Sequence, residues 1–255
     1  MLLWLKLAIT PVLMTAATWA VRRWGAAVGG WIIGLPLTSG PISLFLYLER
    51  GPDFAARAAV GTLLGINGVT ACVTTYAHAA TRWHWPATAA ASLLAYAVTT
   101  ALLSEVLVSA PTAFIGSVAF AGLALWTLPR NRPVSPGPAP AWDLPARIVA
   151  ALAMVLLITA LAERLGPTLS GLLSPFPVFT LVMAVFGHRH SGGAIATPYA
   201  RGLLASAVGF AAFFLVVAEM LEKWGVAAFV AATIATLGGG GLAAATMLVA
   251  RRWFR

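Results

Sequence analysis

The sequence predicts an all-α polytopic membrane protein with about ten transmembrane helices, arranged as two inverted five-helix repeats in which the second helix of each is broken by proline and glycine. Three observations predict it. The chain is 60% hydrophobic and only 9% charged over 255 residues. A soluble domain carries about 25% charged residues to cover its surface, so lipid must solvate much of this one. The chain also matches itself at a shift of about 141 positions: Arg23-Trp24-Gly25 falls on Arg164-Leu165-Gly166, Gly30 on Gly171, Pro36 on Pro177 and Phe45 on Phe186. After a small insertion, Phe54-Ala55-Ala56-Arg57 meets Pro198-Tyr199-Ala200-Arg201, Gly65 meets Gly209, and Trp85 meets Trp224. The third observation is a pair of proline-doubled segments, Gly34 to Ser43 and Leu173 to Thr180. Hydrophobic chains made of two similar halves with interrupted helices are characteristic of membrane transporters.

Taken in order, the apolar segments of the first repeat (1–128) run over 2–21, 26–48, 58–80, 86–108 and 111–128. Those of the second (147–255) run over 147–164, 168–187, 200–221, 225–237 and 240–252. A membrane-spanning helix needs about 20 residues. The last two are short, with only Gly238 to Gly241 to divide them. The first segment has a counterpart at Ile148 to Leu165, which predicts a retained helix instead of a cleaved signal peptide. Continuous apolarity without alternation excludes the strands of a membrane barrel. The proline-rich stretch 129–146 reads as an extended, solvated linker. Five crossings per half would put the second repeat upside down relative to the first.

The net charge of +9 does not point to nucleic acid, because the basic residues sit at the ends of apolar runs. There they anchor helices and set orientation. Arg22, Arg23, Arg82, Arg130, Arg132, Arg147, Arg189 and Arg201 fall on the linker side, which the positive-inside rule places in the cytoplasm. With ten spans the basic residues divide eight against eight, and with nine they divide eleven against five.

Each broken segment frees backbone groups that cannot face lipid, so they must face protein or a wet cavity. Pro36, Pro41, Pro175 and Pro177 are the predicted breaks or gates. Thr38, Ser39, Ser43, Asn67, Ser174 and Thr180 are the candidate substrate contacts. Arg57 and Arg201 occupy matching positions and read as interfacial anchors or as a vestibule screen for an anionic substrate. Glu49, Asp53, Glu163, Glu219 and Glu222 lie near segment ends, with Glu105 the nearest to an embedded carboxylate. Coupling through a central mid-span carboxylate is therefore not expected. His188-Arg189-His190 reads as a polar loop, because an arginine between two histidines repels a metal ion. No cofactor or metal is expected. Cys72 is a lone, core-facing cysteine.

From Leu103-Ser104-Glu105 through Ile115-Gly116 to Ala121-Gly122-Leu123-Ala124-Leu125-Trp126, the chain resembles the drug/metabolite transporter superfamily. In its EamA-like members a Gly-Glu pair precedes a final short helix with spaced glycines. Here Ser104 stands in place of the glycine, and the second half lacks the glutamate. The resemblance implies two inverted five-helix halves and carriage, as an exporter, of small organic metabolites.

The expected function is a non-enzymatic secondary transporter of a small organic solute, with its site at the paired broken helices. Its setting would be a bacterial inner membrane, crossed many times. Its partners would be the lipid bilayer and the solute, not nucleic acid, and a homodimer is compatible with this reading. Two alternatives are carried. One is a membrane-embedded enzyme acting on a lipid or isoprenoid through Glu49, Asp53, His188 and His190. The other is a non-catalytic assembly subunit.

Overall fold

The computed structural model describes residues 2–130, 140–173 and 176–253, and their side chains except at 2–6, 158–159, 161–173 and 242–253. The first half contains α1 (Leu2–Trp24), α2 (Ala26–Ile33), α3 (Ser39–Arg50), α4 (Pro52–Ala79), α5 (Trp85–Ser104) and α6 (Ala110–Thr127). The second contains α7 (Asp143–Leu173), α8 (Val178–Ser191), a 3-10 turn at Gly193–Ile195, α9 (Ala196–Trp224) and α10 (Ala227–Trp253). No strand occurs among the described residues. Among the described residues four helices are long and apolar enough to cross a membrane: α4, α5, α6 and the run Gly193–Trp224 that contains α9. Leu94 and Leu102 of α5 and Ile115, Leu123 and Trp126 of α6 are exposed, as lipid-facing side chains would be. The structure is thus that of an all-helical membrane protein.

The first predicted break is present. Residues 34–38 form turns between α2 and α3, with Pro36 buried inside them. Pro41 adds no second break, because it falls in the first turn of α3. Amides of a first helical turn have no partner within the helix, so proline is tolerated there. At the second break Pro177 is the N-cap of α8, while Ser174 and Pro175 lie outside the described residues, as do linker residues 131–139.

Three expectations are revised. The segments foreseen at 225–237 and 240–252 form one helix, α10. Four glycines in a row cost helix propensity, but they do not forbid the helix when the neighbouring backbone lies this close. Gly209 of α9 sits against Thr236 and Gly240 of α10. α7 runs to Leu173 through the foreseen loop at 165–167, so the division within that half comes at the second break. The linker ends sooner than predicted, because α7 begins at Asp143.

The halves share landmarks but not their element count: α1, α2 and α3 precede the long helix α4, whereas α7 and α8 alone precede the long helix α9. Gly51 and Gly192, which are 141 residues apart, have nearly the same backbone angles, φ 85 and ψ 172 against φ 80 and ψ 166. Both are in the positive-φ region that favours glycine, and each ends the helix after its break. Arg57 and Arg201 are each the sixth residue of their helices. The Trp85–Trp224 match does not hold structurally, since Trp85 opens α5 and Trp224 closes α9.

α9 is the centre of the packing, and α2, α4, α6 and α10 all lie against it. The approach of α2 is backbone to backbone. A methyl group on Gly30 would strike the Tyr199 carbonyl, one on Gly34 the Ser206 hydroxyl, and one on Gly202 the Ala27 carbonyl. Small residues of this kind let membrane helices approach closely. Further along α9, Leu204, Phe214, Val217 and Leu221 are fully buried in the core.

Gly202→Ala should lower stability by about 1–3 kcal/mol through overpacking. Gly61→Ala, where a methyl meets nothing within 4 Å, should be neutral or stabilising by up to about 1 kcal/mol. Thermal unfolding of the detergent-solubilised protein, followed by circular dichroism, checks the pair. Equal midpoints would sink the close-approach account.

Candidate functional site

The predicted contact residues have different surroundings. Thr38 and Ser39 are half-buried at the start of α3, and Ser43 is buried one turn on. Beside them Gly40 faces the Phe213 ring of α9. Thr180 is buried in the first turn of α8. Near it Phe176 packs edge-on against Tyr96 of α5, with ring centroids 5.2 Å apart. The first break therefore rests on α9 and the second on α5.

Asn67 joins helices. Its Nδ2 donates to Ser117 Oγ of α6 at 2.9 Å and to the Leu64 carbonyl at 3.0 Å. Ser117 Oγ in turn donates to the Leu63 carbonyl at 2.8 Å. Arg57 pairs with Asp53 at 2.7 Å with both side chains largely exposed, at 70% and 64%. Arg201 donates to the Pro129 carbonyl at 3.2 Å and so ties α9 to the chain leaving α6.

The most concentrated polar site lies elsewhere, at the end of the molecule where α1 and α8 finish and α7 and α9 begin. Asp143 is fully buried there. Arg22 Nη2 donates to its Oδ2 at 3.1 Å and Arg147 Nε to the same oxygen at 2.9 Å. Arg147 Nη1 also donates to Met183 Sδ at 3.1 Å. His190 Nε2 lies 3.1 Å from Asp143 Oδ1, but the two are not aligned as a hydrogen bond, and each lacks any other partner. Aromatic rings enclose the cluster. Trp142 packs against His190 with centroids 5.4 Å apart, and the Arg147 guanidinium lies 5.2 Å from the Phe186 centroid. Such a cation–π contact helps hold a desolvated guanidinium.

A cavity of about 40 Å³ opens at this cluster, lined by Asp143, Arg147, His190 and Tyr199 among others. A smaller one of about 10 Å³ is lined by Cys72, Tyr76, Thr180 and Tyr199. Tyr199 is common to both. Neither cavity is lined by Thr38, Ser39, Ser43 or Asn67. His188, two residues before His190 and outside the four span-length helices, is held below the ordinary imidazole range by burial and by His84. Its Nδ1 lies 3.4 Å from the Tyr76 hydroxyl.

Sequence reasoning placed Asp143 in a solvated linker, whereas it is buried at the start of α7. It read His190 as part of a polar loop, but His190 closes α8 against Asp143. The missed signal is the run Trp142-Asp143-Leu144-Pro145-Ala146-Arg147. An acidic residue followed by proline marks a helix start, and Asp and Arg four apart share a face. The prolines preceding it hid that signal. The described residues contain no group of three or more His, Cys, Asp or Glu side chains that could hold a metal ion.

No family model matches this chain, and neither a curated protein nor a solved structure does.

Asp143→Ala should destabilise the protein by about 3–5 kcal/mol, because it leaves the Arg147 guanidinium buried without a carboxylate. Asp53→Ala, at the exposed pair, should cost under about 1 kcal/mol. Unfolding in mixed micelles compares the two. Similar losses would show that the Asp143 cluster is not desolvated.

Proposed function

We propose that this chain is a secondary transporter that moves a small organic solute by alternating access across a bacterial inner membrane. The reading is supported by the directions of the helices around the two proline-doubled segments, which run opposite ways. Arg22 at the end of α1 meets Asp143 at the start of its counterpart α7. Gly193, just before α9, lies against Ala80, just after its counterpart α4. His190 ends α8 at that same end of the molecule, whereas α3 ends at the other, where Tyr47 packs near Phe229 at the start of α10. Oppositely directed halves supply two nearly equivalent arrangements, one open to each side.

Thr38, Ser39, Ser43 and Thr180 are the polar linings in this reading, with Pro36 and Pro177 shaping the breaks. Asn67 serves as the fixed joint between α4 and α6. Cavities of about 40 and 10 Å³ admit water but not an organic solute, which needs about 300 Å³ or more. Transport in this reading requires the described arrangement to open. A single α10 supports nine spans over ten. The tail arginines then join the linker side, eleven basic residues against five, and that side is cytoplasmic by the positive-inside rule. The drug/metabolite transporter likeness remains part of the proposal. Glu105 is the exposed C-cap of α5, and Gly116 and Gly122 of α6 face open space.

The enzyme alternative needs its four residues to converge. Asp53 pairs at the start of α4, while His188 contacts Tyr76 near its end. That separation is roughly 34 Å along a helix at 1.5 Å per residue, which favours transport.

Cysteines placed at Ser39 and Thr180 in a Cys72→Ala background test the reading. Membrane-impermeant thiol reagents applied from either side should reach both positions, at rates that change when a transported solute is added. Protection from both sides, or access from one side only under all conditions, would refute alternating access at the breaks.

A further inference from the structure

The charges of this chain are segregated between its two ends. Of all its acidic residues, Asp143 alone lies on the linker side, where α1, α4, α6 and α8 finish and α5, α7 and α9 begin. Glu49 and Asp53 flank the turn between α3 and α4, Glu105 caps the far end of α5, and Glu219 and Glu222 fall near the end of α9. Glu163 lies about 30 Å from Asp143 along α7, at 1.5 Å per residue. Asp143 is buried and already holds Arg22 and Arg147, so the linker side presents no exposed carboxylate among the described residues. Its basic side chains are all arginines. The lysines are elsewhere, Lys6 at the start of α1 and Lys223 at the end of α9.

Three exposed arginines on this side each stand beside an exposed tryptophan. Arg23 precedes Trp24 at the close of α1, and Arg82 precedes Trp83 in the turn between α4 and α5. Arg189 of α8 lies 5.9 Å from the ring centroid of Trp142, which comes just before α7. None of the three arginines makes an ion pair among the described residues. Contacts between the helices join the three pairs into one surface. The Arg22–Asp143 pair sets the end of α1 beside the start of α7. The close approach of Gly193 to the Ala80 carbonyl sets the end of α8 against the turn that carries Arg82. That turn connects two span-length helices, which puts the surface at the level of the lipid headgroups.

A guanidinium presents a planar fork of donors that matches two oxygens of a phosphate. Tryptophan rings settle at the same interface, one part apolar and one part polar. A phosphodiester joined to acyl chains meets both requirements. A zwitterionic headgroup would bring a further cation among the arginines, with no exposed carboxylate to receive it. We propose that the linker side binds the phosphates of anionic phospholipids, held by Arg23, Arg82 and Arg189 and bordered by Trp24, Trp83 and Trp142. This surface needs the membrane setting but not the transport reading. Each arginine close to an anionic lipid surface contributes roughly fivefold to the affinity.

The full chain in detergent micelles that carry equal amounts of phosphatidylglycerol and phosphatidylcholine tests this, with the lipids retained by the protein measured by mass spectrometry. Phosphatidylglycerol should be enriched by about tenfold or more over phosphatidylcholine. In Arg23→Gln/Arg82→Gln/Arg189→Gln the enrichment should fall close to the mixing ratio. In Arg50→Gln/Arg57→Gln/Lys223→Gln, which removes the same charge from the opposite end, it should persist. No enrichment in the wild type, or equal losses in the two triple variants, would overturn the proposal. So would displacement of phosphatidylglycerol by inorganic phosphate beyond the effect of sodium chloride at equal ionic strength, because that marks a site for a free anion. If the first triple variant loses its helix content, Arg82→Gln alone is read in its place. A several-fold drop is expected there, and an unchanged ratio overturns the proposal.

Discussion

The backbone-to-backbone crossing of α2 on α9 is the contact on which the remaining arrangement depends. α2 has only eight residues, too few to be stable alone. It is held because Gly30, Gly34 and Gly202 let two backbones approach where any side chain would collide. Directly after Gly34 the chain breaks, so the position of the first break is set by α9. That helix also brings Tyr199 to both cavities and Arg201 to the end of α6, and it carries much of the core at Leu204, Phe214 and Val217. In lipid the hydrophobic effect does not press helices together, and close packing of small residues takes over that role.

The Asp143 cluster follows a different logic. Moving a carboxylate and a guanidinium out of water costs several kcal/mol per ion, which good geometry and further hydrogen bonds must offset. Arg147 meets the requirement with a carboxylate, a thioether and an aromatic ring. Asp143 meets it with both guanidiniums on one oxygen and His190 3.1 Å from the other.

Much of the fold was legible in the sequence. Lipid solvation followed from the shortage of charge, and the first broken helix from Pro36 among Gly34, Thr38 and Gly40. Gly51 and Gly192, which share a backbone conformation 141 residues apart, were passed over among many glycines. The count of segments was less legible. Gly238 to Gly241 resembles a turn by propensity, but contact with Gly209 of α9 keeps it helical, and no local pattern reports that contact.

The sequence by itself determined the solvent, the helical class and the place of the first break, because each of these depends on composition or on local backbone restrictions. Tertiary structure alone decided which polar residues meet. Asn67 turned toward Ser117 instead of the breaks, and Arg201 toward the end of α6. Asp143, at the edge of a proline-rich stretch, became the most buried carboxylate of the described chain, because residues 22, 147 and 190 converge on it from three helices. Convergence over more than a hundred positions leaves no periodic trace, since Coulomb attraction in a low-dielectric interior acts between neighbours in space, whatever their separation along the chain.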